Sequence, residues 1–139
     1  MKVVLDTNIF VAMIGRKSPY RWIFEEILNE KLTICVSSEI LLEYEEILEQ
    51  LTTPEIARNV MSFLSVYPSV EKIDVYYNWD VIEADPDDNK FVDCAVAGEA
   101  SYLVSNDRHF NIIRELDFPY VRVLKGKEFE EVWKKEEDN

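Results

Sequence analysis

The sequence predicts an α/β protein built on a mostly parallel sheet with helices on both faces. Apolar runs of strand length, at Lys2 to Asp6, Leu32 to Val36, Tyr102 to Ser105 and Tyr120 to Leu124, are continuous rather than alternating, as strands buried on both faces must be. Segments of helical periodicity separate them, which is the order of a parallel sheet. No repeat, low-complexity tract or linker divides the chain, so residues 1–139 read as one domain, with 132–139 as a solvated tail.

The first strand runs directly into the turn-prone Asp6-Thr7-Asn8. A loop around Gly15 to Pro19 leads to a helix over Tyr20 to Asn29, and Leu32 to Val36 follows as the second strand. Ser37-Ser38 supplies an N-cap for a helix from about Glu39 to Leu51, and Pro54 opens the next at its favoured first position, to about Val66. Val70 to Val75 is a candidate strand, while Tyr76 to Glu83 shows no clear pattern. Asp85-Pro86 caps a helix that continues to Gly98, a good C-terminal stop. Strand Tyr102 to Ser105, a helix from about Arg108 to Arg114, strand Tyr120 to Leu124 and a last helix over Glu128 to Lys135 complete the chain.

Charge and composition exclude several classes. A formal charge of -13 opposes bulk attraction to nucleic acid, without excluding it as a substrate. The start meets Asp6 after only three apolar residues, unlike a signal peptide, and Ile9 to Ile14 is far short of the ~20 residues that span a bilayer. A soluble, cytoplasmic protein with no membrane partner is expected. Cys35 and Cys94 sit in apolar segments and read as core thiols, and with His109 the only histidine, a Cys/His zinc site lacks ligands.

The acids carry the chemistry. In open parallel sheets ligands collect beyond the carboxyl ends of strands. Asp6 ends the first strand and Asp107 follows Tyr102 to Asn106, which puts both at one sheet edge. On a wheel of about 100° per residue, Ile40, Leu41, Tyr44, Ile47, Leu48 and Leu51 form the core face of the Glu39 helix, with Glu43 and Glu45 at its flanks and Leu42 on the polar side. Asp85 and Asp87 have an ordinary explanation as first-turn acids, whereas Asp88 shares the direction of Phe91, Val92 and Ala95 and faces the core. Asp93 points elsewhere. Taken singly, Asp6 and Asp107 could simply close turns or cap helices. Together, carboxylates about 4 Å apart repel by about 4 kcal/mol at an effective dielectric near 20, so such a cluster calls for a cation. Oxygen donors without a Cys or His cluster suit Mg²⁺ or Mn²⁺, and the matching chemistry is phosphodiester or phosphoryl hydrolysis.

At these residues a family becomes visible. Val3-Val4-Leu5-Asp6-Thr7-Asn8-Ile9-Phe10, Ser38-Glu39-Ile40-Leu41-Leu42-Glu43, Asp85-Pro86-Asp87-Asp88-Asn89-Lys90-Phe91 and Tyr102-Leu103-Val104-Ser105-Asn106-Asp107 occur in the order expected of PIN-domain nucleases. The chain resembles that family from Lys2 to about Leu124, and is most similar to the toxins of VapC-type toxin–antitoxin systems. The resemblance implies a three-layer α/β/α fold with Asp6, Glu43, Asp88 and Asp107 as metal-binding and catalytic acids, choosing Glu43 over Glu45 and Asp88 over Asp87. It implies hydrogen-bond support from Thr7 or Asn8 and from Ser105 or Asn106, while the direction of Asp93 on its helix leaves it a place only behind them.

The implied activity is Mg²⁺- or Mn²⁺-dependent hydrolysis of RNA by a metal-activated water, with an antitoxin and a second copy of the chain as further partners. That chemistry needs no 2′-OH and so does not itself separate RNA from DNA. Arg16, Lys17, Arg21, Lys90, Arg108 and His109 lie near the site segments as candidate phosphate contacts; ordinary surface charge explains any one of them, and His109 reads as a helix-start polar residue. A stand-alone RNA-processing factor fits equally well. Two rivals remain: a PIN-like interaction module whose acids hold a structural ion without cleavage, and a haloacid-dehalogenase-type phosphatase. The phosphatase would need an Asp where Asn8 stands.

Overall fold

The computed structural model describes residues 1–138. Strands β1 (Lys2–Leu5), β2 (Thr33–Val36), β3 (Val70–Lys72), β4 (Tyr102–Val104) and β5 (Val123–Leu124) form one parallel sheet in the order β3-β2-β1-β4-β5. Val3 pairs with Ile34 on one side and with Tyr102 on the other, so β1 is central. Val3, Val4 and Leu5 are all 0% exposed; successive residues point to opposite faces, so both faces are covered, as the unbroken apolar run requires.

The helices are α1 (Thr7–Ile14), α2 (Arg21–Leu28), α3 (Ser38–Leu51), α4 (Pro54–Val66), α5 (Asn89–Ala97) and α6 (Gly126–Glu137), with 3-10 turns at Pro86–Asp88 and Arg108–Glu115. The serine before α3 and the threonine before α4 explain their sharp starts: Ser37 Oγ accepts from the Ile40 N–H and Thr53 Oγ1 from the Ile56 N–H. Helix α1 packs on α2 and α3, and α5 lies against β1, β2 and β4. Phe10 of α1 stacks on Tyr44 of α3 with ring centres 3.9 Å apart, and the buried Tyr44 hydroxyl donates to the carbonyl of Leu5. Cys35 and Cys94 are free and buried, as the sequence predicts. Among the described residues no helix is long and apolar enough to cross a membrane.

Four expectations are corrected. Thr7 and Asn8 do not form a turn but open α1, whose apolar character nearly all round hides its period. The tail expected over 132–139 is helical to Glu137, and Trp133, only 8% exposed, packs against Trp22 and Phe129; Lys134 to Asp138 are exposed as expected, and Asn139 lies outside the described residues. The strands expected over Val70–Val75 and Tyr120–Leu124 are shorter, since ladder pairing ends at Lys72 and begins at Val123. Leu51, expected on the core face of α3, is exposed in its last turn, and Leu42 is exposed as the wheel predicts.

Candidate metal and catalytic site

Strand order reverses between β1 and β4, since β1 continues to β2 on one side and β4 to β5 on the other. The crevice beyond their carboxyl ends is where an open parallel sheet leaves room for a ligand. Asp6 and Ser105 are the residues that leave these two strands. The Asp6 N–H donates to the Val104 carbonyl at 3.0 Å, which extends the ladder by one residue and fixes the direction of the Asp6 side chain.

Ser105 joins the two strand-end acids. Its hydroxyl donates to Asp6 Oδ2 at 2.7 Å and accepts from the Asp107 N–H at 2.9 Å. Asp107 Oδ1 accepts from the His109 N–H at 2.9 Å, capping the 3-10 turn that starts at Arg108. From α3, Glu43 accepts from the Thr7 hydroxyl through Oε2 and from Lys90 through Oε1 at 2.7 Å. Tyr44, one residue on, anchors that helix to Leu5, so the Phe10–Tyr44 stack sets how far Glu43 stands from the end of β1.

Asp87 and Asp88 part company at the start of α5. The Asp87 side chain is 79% exposed and turns to Lys90 at 3.1 Å, while that of Asp88 is 15% exposed and turns to His109, with Oδ2 3.5 Å from Nδ1. The same His109 nitrogen is 3.4 Å from Asp107 Oδ1. Burial raises the Asp88 pKa to about 6, with the negative charge of Asp85, Asp6 and Asp107 adding to it and the His109 contact opposing it. Asp6 is also raised, by burial first; Ser105 and the Thr7 N–H oppose this, and the charges of Asp107 and Glu43 reinforce it. The acids therefore share one electrostatic environment and resist being ionised together.

The remaining expected residues divide sharply. Lys90 is not free for phosphate: its side chain is 8% exposed and committed to Glu43 and Asp87. Burial alone would lower its pKa, but the bonds to Glu43 and Asp87 outweigh that and raise it. Arg21 donates to the Ile14 carbonyl at 2.7 Å, closing the end of α1. Arg16 and Lys17 are exposed beyond the far end of α1, roughly 12 Å from Asp6 along an eight-residue helix, whereas the exposed Arg108 adjoins Asp107.

Asn8 is exposed. Asn106 donates to the Tyr20 hydroxyl at 3.0 Å and accepts from the Gly126 N–H at 2.9 Å, so it braces the turn before Asp107 against α2 and α6 rather than serving a carboxylate. Asp93 accepts from the Trp79 N–H at 2.9 Å and holds the irregular segment after β3 onto α5. A cleft of about 210 Å³ lies beside Lys90 and Asp93 and is lined also by Ser38, Glu39, Ile73 and Asn78, with none of the four acids in its wall. Sequence reasoning read Tyr44 only as a core residue and His109 only as a helix-start polar residue or phosphate contact, and gave neither a part in positioning the acids. For His109 the signal was present: two residues after Asp107, in the first turn, it cannot be far from that carboxylate.

The donor set suits a divalent ion. It is rich in carboxylate oxygen, and Asp88 Oδ2 and His109 Nδ1 are buried without a hydrogen-bond partner. Asp85, Asp88 and His109 each bring a donor atom within 4.8 Å of the others. An ion would satisfy the orphaned atoms and offset both the burial and, beside it, the mutual repulsion that raise the Asp88 and Asp6 carboxyls.

Comparison with known proteins agrees with this architecture. Over 90% of this chain and 98% of the other, the fold is similar to a chain in the crystal structure of VapBC2 from Rickettsia felis bound to a promoter DNA fragment, at a TM-score of 0.62 and 20% identity. DNA-bound VapBC from Salmonella typhimurium gives 0.56 and 22% over the same shares of the two chains. The PIN domain endonuclease Utp24 gives 0.53 and 19%, over 89% of this chain and 84% of that one. No curated protein matches by sequence. The PIN domain family model, however, matches residues 2–109, a span that begins with β1 and closes just past Asp107. That match covers well over half of the sequence, and the chain belongs to the PIN domain family.

Proposed function

We propose that this PIN domain is a metal-dependent endoribonuclease acting through Asp6, Glu43, Asp88 and Asp107, with Mg²⁺ or Mn²⁺ as its ion. The observation that supports it best is that the four acids are linked pairwise: Asp6 and Asp107 share Ser105, Asp88 and Asp107 both face His109, and Asp6 feels the charge of Glu43. A bound divalent ion supplies an activated water and charge stabilisation at phosphorus. The chain's own part is positional. Ser105 orients Asp6 and the backbone of Asp107, Thr7 and Lys90 fix both oxygens of Glu43, and Arg108, exposed and next to Asp107 in sequence, is a cation available for a substrate phosphate.

The VapBC neighbours support a toxin paired with an antitoxin as the biological setting. A natural inhibitor would be a basic segment whose Arg reaches these carboxylates, since bidentate Arg–carboxylate pairs are strong and would displace an ion. Leu42, 66% exposed on α3, is the candidate contact between two copies of the chain.

The test is a Mn²⁺ and Mg²⁺ titration of cleavage on pools of end-labelled RNA and DNA, with EDTA, Asp6→Asn and Asp88→Asn as controls. Metal-dependent cuts in RNA that leave 5′-phosphates and vanish in both variants are expected. Cutting that survives EDTA and both substitutions overturns the assignment. Metal binding with no cleavage of varied RNA moves the reading to a PIN-like interaction module with a structural ion.

A further inference from the structure

We propose that His109 is a nitrogen ligand of the divalent ion, so that the site is a mixed oxygen and nitrogen centre selecting Mn²⁺ over Mg²⁺. This rests on the metal reading above and adds to it a specificity that four carboxylates alone would not have.

The geometry carries the inference. His109 Nδ1 stands 3.5 Å from Asp88 Oδ2 and 3.4 Å from Asp107 Oδ1, between two of the proposed acids. Neighbouring donors of an octahedral ion with bonds of about 2.1–2.2 Å lie about 3 Å apart, slightly closer than the nitrogen stands from each of these oxygens, and Asp85, Asp88 and His109 bring donor atoms within 4.8 Å of one another. The His109 N–H donates to Asp107 Oδ1 at 2.9 Å, which keeps the residue beside that carboxylate. Both Asp88 Oδ2 and His109 Nδ1 are buried and make no hydrogen bond, so neither has been satisfied by the other. Buried polar atoms of this kind are rare, and a facing nitrogen and oxygen that share no well-placed proton are what a ligand pair looks like before its ion.

Chemistry then separates the ions. Mg²⁺ takes oxygen almost exclusively and keeps several waters, whereas imidazole is a good ligand for transition ions. Replacing one carboxylate or water by an imidazole therefore favours Mn²⁺. The competing explanation is a plain His–Asp ion pair with the imidazole protonated, which would leave the nitrogen outside any metal's coordination shell.

One feature of the sequence makes the test direct: His109 is the only histidine. Mn²⁺ is added to the tag-free full-length chain, and electron spin-echo envelope modulation is recorded on natural-abundance protein and on protein carrying ¹⁵N-histidine. Nitrogen modulation that changes isotope pattern with the label is expected. Isothermal titration should show Mn²⁺ binding at least about tenfold tighter than Mg²⁺, and His109→Gln should weaken Mn²⁺ about tenfold while changing Mg²⁺ less than about twofold. Mn²⁺ that binds without nitrogen modulation overturns the role of His109 and leaves the metal reading standing. Absence of Mn²⁺ binding to the folded chain overturns both. The spectroscopy needs no variant, so a misfolded substitution cannot decide the outcome.

Discussion

Lys90 and Glu43 form an ion pair at 2.7 Å in which the lysine is almost wholly buried and the glutamate 22% exposed. The chain has thus placed one cation of its own among its acids. Because the Thr7 hydroxyl binds the other Glu43 oxygen, that carboxylate is held before any ion arrives, and Lys90 competes with metal for it. Lys90→Met should destabilise the metal-free protein by about 2 kcal/mol, less than a fully buried pair because Glu43 keeps some solvent. It should also tighten divalent-ion binding. Urea unfolding in EDTA and calorimetric titration of Mn²⁺ read the two effects, and weaker metal binding in a folded variant would show that Lys90 helps the ion.

Acid pH should stabilise the metal-free protein through Asp88. With its pKa raised from 3.8 to about 6, the folded chain keeps a proton between these values that the unfolded chain has released. The unfolded state then binds fewer protons, so stability falls as pH rises through that window and the penalty is complete above about pH 6. Melting in EDTA should occur at higher temperature near pH 5 than near pH 7.5. Asp88→Asn should lessen this dependence and melt above the parent at pH 7.5, and Mn²⁺ should raise the parent's melting point while leaving the variant's almost unchanged. A variant less stable than the parent in EDTA at pH 7.5 would contradict this account.

Ser105→Ala tests the joint between the strand-end acids. It removes the donor to Asp6 and the acceptor for the Asp107 N–H together. The expected cost is about 1–2 kcal/mol in stability and 10–100-fold in metal affinity, and the Asp6 carboxyl should rise further because Ser105 holds it down. Carbonyl-region infrared titration of the Asp6 carboxyl and metal binding by calorimetry check both. Unchanged affinity would show that the ion does not need this orientation.

Gly126→Ala probes the brace behind Asp107. A Cβ there would stand 2.4 Å from Tyr20 Cε1 and 2.6 Å from its hydroxyl, so the ring must move and the Asn106 bond to it must go. A loss of about 1–3 kcal/mol is expected. Tyr20→Ala should relieve much of it, giving a clearly non-additive double-mutant cycle in urea unfolding. Additive losses would place the strain elsewhere.

Much of this was legible before the structure. Helices α3 and α4 could be bounded because Ser37, Thr53 and Pro54 announce their starts locally, and Asp6 and Asp107 could be placed together because the ends of parallel strands share an edge. Helix α1 was hidden because Ile9, Phe10, Val11 and Met13 leave no polar stripe to read. The burial of Trp133 depends on Trp22 and Phe129, more than a hundred and a few residues away respectively, which no local pattern contains. Lys90 illustrates the same limit at the site. Its spacing marks it as a cation beside the acids, but only the packing of α3 against α5 reveals that it is already spent on Glu43.

The hydrogen bond between Ser105 and Asp6 spans 99 positions of sequence. Central β1 is synthesised well before the neighbour that completes its ladder, β4. Parallel pairings of this separation form late and slowly, because the long loop must close before contacts reward it. A growing chain that has not reached Asp107 carries Asp6 and Glu43 without their partners. The proposed site is thus assembled by long-range pairing: until β4 has joined β1, the acids at the two strand ends lack the serine that holds them together.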